Sequence, residues 1–292
     1  MSSMLTTRRQ LKSAETLQSV VTTMKTLSSV RIVQYRRSVT ALEASTKTLE
    51  LAVQALLTLH PELLEVEAAP TGRSVAAVIL GSDRGLCGPF NERIIRHATG
   101  LLKARTPEGE APTVLAVGRR VDSRLNAAGY APAARVAPPG NVGAIDKAVV
   151  EVLAHVDRWR SQGLAGRLYL AYNLPTRGAA YQPVAVRILP VDRHWLERLR
   201  DRPWPSRRLP MALGDGYSLL QGLVRQFIAH ALVLAFAASQ ASENAARLAA
   251  MDAAERNIEE RISQLGTAYR QARQNAVTAE LLDIQAAYAA NR

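Results

Sequence analysis

Apolar side chains recur at alternating steps of four and three along the last quarter of the chain, from about Asp215 to Tyr288. They run from Leu220 through Val224, Phe227, Ala231, Leu234, Ala238, Ala241 and Ala245 to Leu248. That spacing turns one stripe of an α-helix towards a partner helix. The seam steps short at Met251 and resumes at Ile258, Ile262, Leu265, Tyr269 and Ala272. It then shifts to Val277, Leu281, Ile284 and Tyr288. No proline interrupts it, and its glycines, Gly222 and Gly266, are widely separated. At 1.5 Å per residue the stretch predicts one helix of roughly 110 Å. A single compact domain cannot bury such a rod end to end, so it needs a partner helix and further chains.

The partner is at the other end of the sequence. From about Leu5 to Leu59 there is neither Gly nor Pro. Leu17, Val20, Met24 and Leu27 keep the helical step, and after a one-residue slip Ile32, Tyr35, Val39, Leu42, Thr46, Leu49, Val53 and Leu56 keep it again. This predicts a second helix of about 80 Å, ended by Pro61. Each terminal helix has one apolar seam, so the expectation is an antiparallel coiled coil. The longer C-terminal helix should project alone at its far end.

The middle of the chain changes period. Ser74 to Leu80 is a short apolar run expected as a buried strand. A glycine-rich turn, a helix over Asn91–Ala104, a strand over Thr113–Val117 and a helix over Arg120–Ala128 follow. After a Pro-Pro-Gly break come a helix over Ala144–Ser161 and strands over Leu168–Tyr172 and Val184–Leu189. Strands alternating with helices indicate a Rossmann-like α/β domain with a mainly parallel sheet. Arg202 to Gly216 reads as a linker. The fold expected is α+α/β: helices 1–60 and 215–292 paired, and an α/β domain over 74–200.

Composition narrows the function. Cys87 is the single cysteine among 292 residues, which excludes an internal disulfide. The net charge of +12 points to an acidic partner. Residues 1–60 carry eight Lys/Arg against three Asp/Glu, and residues 215–292 seven against eight, so most of the excess lies between them. No apolar run approaches membrane-spanning length, so no direct membrane insertion is expected. Thr7-Arg8-Arg9 is faintly like an export signal, but Ser13 to Ser29 is too polar for the apolar region that should follow.

The densest motif is Gly81-Ser-Asp-Arg-Gly-Leu-Cys-Gly-Pro-Phe-Asn91. A strand, a glycine turn and a helix start can cradle a phosphate. The glycines at 81, 85 and 88 lack the dinucleotide spacing, however, and no Gly-Lys-Ser/Thr is present. A tight structural turn is the simpler reading. Cys87 has no evident histidine partner and reads as a packed thiol rather than a nucleophile. The five histidines show no metal-ligand spacing, and no Gly-x-Ser-x-Gly elbow occurs.

Gly81 to Asn91 closely resembles the signature of the gamma subunit of rotary F-type ATP synthases. Arg8-Arg9-x-Leu11-Lys12-Ser13, Gln18 and Met24-Lys25 resemble that family's first helix. Ser242-Glu243, Ala246-Arg247, Ala250-Met251, Ala254, Asn257, Tyr269, Ala272-Arg273-Gln274, Ala276, Thr278, Glu280-Leu281 and Ile284 resemble its last. Tyr172-Asn173 and Leu189-Pro190 match its middle domain. The resemblance implies a central rotor shaft turning inside a hexameric ring of alpha and beta subunits. Its α/β foot would rest against the epsilon subunit and the membrane c-ring, on the cytoplasmic face of a bacterial inner membrane. It implies no catalytic residue, cofactor, metal or nucleic-acid partner. Subunit contacts are implied at Met24, Lys25, Arg84, Arg273, Gln274, Thr278 and Glu280. The sequence departs from the pattern at Glu255, where the family often has threonine, at Ile258, at Arg270 and in the Gln285–Tyr288 ending. From the residues alone, two other readings stay open. One is a coiled-coil nucleic-acid-binding protein using Arg31, Arg36 and Arg37. The other is a nucleotide-dependent α/β enzyme.

Overall fold

The computed structural model describes residues 2–68, 73–176, 180–208 and 211–290. Helix α1 spans Ser2–Leu59 and is stopped before Pro61, and α7 spans Gly216–Ala290. Between them lie α2 (Leu63–Ala68), β1 (Val75–Leu80), α3 (Phe90–Arg105), β2 (Thr113–Val117), α4 (Arg119–Ala127) and β3 (Ala134–Val136). A short 3-10 turn, α5 (Ile145–Ser161), β4 (Arg167–Pro175), β5 (Tyr181–Leu189) and α6 (Arg193–Arg200) complete the order. The expected strands and helices are present. Beyond those, α2, β3 and α6 are present, with six, three and eight residues, too few for a period to emerge in the sequence.

The chain divides into two compact units, residues 29–246 and residues 1–28 with 247–292. In the first, five strands form one sheet in the order β3-β2-β1-β4-β5. All neighbours are parallel except β5, which returns antiparallel against β4. Central β1 is buried on both faces, as its continuous apolar sequence requires. Ala76, Val78 and Leu80 join a core with α1, α5, α6 and α7. Val75, Ala77 and Ile79 face α3 and α4. Each large side chain so buried stabilises by about 1.5–3 kcal/mol.

Within this unit α1 and α7 run antiparallel: Thr46 Oγ1 meets His230 Nε2 at 2.7 Å, while Tyr35 lies near Glu243. Burial pushes the Tyr35 hydroxyl pKa up, and burial lowers that of His230. The predicted α1 seam from Tyr35 to Leu56 faces the core. The α7 seam is only partly as expected. Ile228 and Leu232 are buried where Phe227, Ala231 and Leu234 are half-buried. From Ala235 to Ala246 every residue is buried, because this part of α7 has neighbours on all sides. Small residues (Ala, Ser) make that close approach possible.

In the second unit the N-terminal seam is rotated from the expected one. Ala14, Val21 and Ser28 are buried, and Leu17 and Leu27 stand 56% and 54% exposed. The covered positions carry the shorter side chains alanine, valine and serine, so the longer leucines mark the wrong face. Along α7, Met251 and Leu265 are buried and Ile258, Ile262, Tyr269 and Ala272 are half-buried, as expected. The last shift of the seam is not covered by the described residues: Val277, Leu281 and Ile284 are exposed, and the side chain of Tyr288 lies outside those described. One window within Gly216–Ala286 is, by length and composition alone, apolar enough to cross a membrane. That differs from the sequence expectation because alanine adds hydropathy without forming a run of large apolar residues.

Candidate functional site

The signature turn leaves β1 at Gly81, whose N–H still donates to Val117 O at 2.9 Å. It then closes on itself. Asn91 Oδ1, from the start of α3, accepts from Ser82 N at 3.0 Å, and Asn91 Nδ2 donates to Ser82 Oγ at 2.8 Å. Asp83 Oδ1 accepts from Arg119 N at 2.8 Å, and Ser82 O from Arg120 N at 3.0 Å. These bonds satisfy the Ser82 amide and the first two amides of α4 within the chain. Leu86 and Gly88 both take positive φ, 63° and 56°. Cys87 is buried, its sulfur 3.8 Å from Ser82 Oγ and from Arg84 O. It is packed within the turn, as the sequence suggests.

The turn is joined to the buried part of α7. Phe90, Cys87 and Ala246 form a small apolar cluster, and the Phe90 and Tyr181 rings meet at 5.5 Å. Asn173 Nδ2 donates to Phe90 O at 3.2 Å, and Ser242 Oγ donates to Asn173 O at 3.0 Å. Three of the sequence blocks therefore meet here: the turn, the Tyr172-Asn173 pair and the Ser242–Arg247 segment. Arg31, Asp83, Arg84, Gly140, Gln240 and Glu243 line a polar cleft of about 120 Å³ beside it. Arg84 is exposed at that edge.

A second constellation lies in the other unit. Lys25 Nζ contacts Asp252 Oδ1 at 2.7 Å and also Glu255 Oε2, and Thr22 Oγ1 donates to Glu255 Oε1 at 3.0 Å. Thr22 opposite Glu255 and Lys25 opposite Asp252 make this pairing antiparallel too. Hydrogen bonding to Asp252 and then Glu255 holds the Lys25 pKa above the usual lysine value. Hydrogen bonds from Lys25 and then Thr22 hold the Glu255 carboxyl below its ordinary range. The departure at Glu255 thus supplies a partner for Lys25. Asp252 was not singled out by sequence, although two acids one turn apart opposite a lysine are a usable signal once register is known.

The other predicted contact residues do not converge on a pocket. Met24 is half-buried, and Arg273, Gln274, Thr278 and Glu280 are exposed on α7. Thr278 Oγ1 donates to Gln274 O of its own helix at 2.9 Å. No group of His, Cys, Asp and Glu suited to holding a metal ion occurs among the described residues.

A protein-family model described as ATP synthase matches residues 3–290. The chain belongs to the ATP synthase gamma-chain family. Among gamma chains, that of Pelotomaculum thermopropionicum is 27% identical over 283 residues, covering 95% of each chain. That of Syntrophus aciditrophicus is 28% identical over 265 residues, covering 89% of each. Among solved structures, a chain of the Euglena gracilis mitochondrial ATP synthase rotor superposes with a TM-score of 0.65 at 17% identity. The match covers 94% of this chain and 99% of that one. A chain from the Tetrahymena thermophila central stalk and c-ring gives 0.57 at 21% identity, covering 80% and 99%. These structural matches establish the same fold for the gamma family member described here: long terminal helices around a mixed α/β sheet.

Proposed function

We propose that this chain is the central-stalk rotor subunit of an F-type ATP synthase. It couples ion translocation through a membrane c-ring to ATP synthesis and hydrolysis in an alpha/beta ring. The observation that carries this reading is the family match from residue 3 to residue 290, across both long helices and the sheet domain. Residues 1–60 and 215–292 form the shaft, and residues 74–200 the foot that meets the epsilon subunit and c-ring. The subunit works peripherally at the cytoplasmic face of a bacterial inner membrane, without catalytic residues of its own. Met24, Lys25, Arg84, Arg273, Gln274, Thr278 and Glu280 contact the surrounding subunits. Lys25 does so with its charge already shared by Asp252 and Glu255. Exposed basic side chains such as Arg273 suit acidic loops, because a guanidinium makes two-pronged bonds to a carboxylate.

The test is reconstitution with alpha and beta subunits from the same genome. A bead attached through a cysteine at Arg120, in a Cys87→Ser background, should turn in one direction when ATP is added. A ring that incorporates the chain and hydrolyses ATP with the bead stationary overturns the proposal.

A further inference from the structure

The segments that follow β1 and β3 meet at the polar cleft of about 120 Å³ beside the signature turn. Open α/β sheets hold their ligands outside the carboxyl ends of their strands. The turn after β1 brings Asp83 and Arg84 to this cleft, and the loop after β3 brings Pro138, Pro139 and Gly140. Arg31 of α1 and Gln240 and Glu243 of α7 complete the wall. All of these residues belong to one compact unit, 29–246.

The wall presents more donors than the chain uses. Arg31 is half-buried and Arg84 exposed, and among the described residues neither has an ion-pair partner. The Asp83 carboxylate is already engaged by the Arg119 amide at 2.8 Å, with the Arg119 guanidinium at 3.8 Å. Gln240 is 7% exposed, and its side-chain amide has no hydrogen-bond partner among the described residues. Tyr35, one turn beyond Arg31 on α1, is 1% exposed, and its hydroxyl also lacks a partner there. Both Arg31 and Glu243 act on the titration of that hydroxyl, so it lies close to two members of the wall. Two guanidiniums, an amide and a hydroxyl are thus left without acceptors at and beside one small space, opposed by the Glu243 carboxylate. The volume equals that of about four water molecules. That is too little for a nucleotide but enough for one tetrahedral oxyanion, whose oxygens a guanidinium meets with two parallel bonds.

We propose that this cleft binds one small tetrahedral oxyanion of the inorganic phosphate class, held by Arg31 and Arg84, with Gln240 and the Tyr35 hydroxyl as further donors. The proposal does not depend on the rotor reading. Calorimetric titration of the full chain with potassium phosphate, at an ionic strength held constant with chloride, tests it. One saturable site is expected. Arg31→Gln and Arg84→Gln should each weaken phosphate about tenfold or more, the loss of a charge-assisted bond. Glu243→Gln should tighten it, because a like charge leaves the wall. Tyr35→Phe should weaken it about fivefold without lowering the melting temperature in phosphate-free buffer, since the hydroxyl removed has no partner in the chain. A tyrosine with only a structural role would do the reverse. The exposed Arg84 variant decides the matter if a variant at a buried position does not fold. Absence of saturable phosphate binding overturns the proposal, as does an affinity unchanged in Arg84→Gln. ADP binding as tightly as phosphate, with the same dependence on both arginines, also overturns it, in favour of a nucleotide site.

Discussion

At the scale of single residues, the signature turn separates glycines that look alike in sequence. A Cβ on Gly81 would lie 2.0 Å from Val121 Cγ2 and 2.7 Å from Asn91 Oδ1, so the neighbours must move. Gly118, at φ 100°, would place a Cβ 2.8 Å from the Ser82 backbone. A Cβ on Gly85 meets only the far end of the Arg120 side chain, at 3.2 Å, which can swing away. Gly81→Ala should therefore cost about 1–3 kcal/mol, the scale of overpacking. Gly85→Ala should stay within about 0.5 kcal/mol. Equal shifts of the two urea midpoints would contradict this. The motif's existence was legible in sequence, as a cluster of glycines between an apolar run and a helix start. Which glycine is confined was not, because the confining atoms belong to Val121 on α4 and to the Asn91 side chain.

At the scale of elements, both long helices were legible from their freedom from proline and their three-four spacing. Their contact faces were only partly so. Where the partner side chains are large, from Tyr35 to Leu56, the seam was found. Where Ala14, Val21 and Ser28 make the contact, the exposed leucines nearby misled the pattern. In that second unit little apolar area is buried, so the Lys25–Asp252–Glu255 group should have a visible effect on how the helices pair. Its sign with pH follows from the shifts. Glu255 titrates below its ordinary value when folded, so its contribution is present at neutral pH and is lost as pH falls through that lowered value. Lys25 titrates above its ordinary value, so its contribution persists until pH rises through the raised one. Amide exchange across residues 14–28 should thus accelerate, beyond its intrinsic pH dependence, on acidification. Glu255→Gln should remove most of that acid response. An acid response of the same size in the Gln variant would rule out Glu255 as its source.

At the scale of the whole molecule, the class of fold was legible because strands alternate with helices between two uninterrupted helical runs. The strand order was not, since it depends on which edges pair across more than fifty residues, as β1 does with β4. The same scale decides how exposed α7 residues act, because Val277, Leu281 and Ile284 have no cover among the described residues. In the assembled complex, Arg273→Ala should lower ATPase turnover several-fold while leaving the isolated chain's melting temperature unchanged, since Arg273 is exposed. Unchanged turnover would remove Arg273 from the contact set. The sharper prediction concerns motion. With Cys87 replaced by serine, a cysteine at exposed Arg120 is paired with one on the facing beta subunit and oxidised. A rotor must pass three beta subunits in turn, so a tether on the sheet domain should stop sustained hydrolysis, and reduction should restore it. A tether at Ala286 near the end of α7 is a weaker constraint. The few single bonds there can swivel while the remainder of the subunit turns. A static brace behaves differently, because nothing has to move past either cross-link and both should leave turnover unaltered. High-yield cross-linking at Arg120 with undiminished steady-state hydrolysis would therefore refute rotation even though the chain belongs to the gamma family.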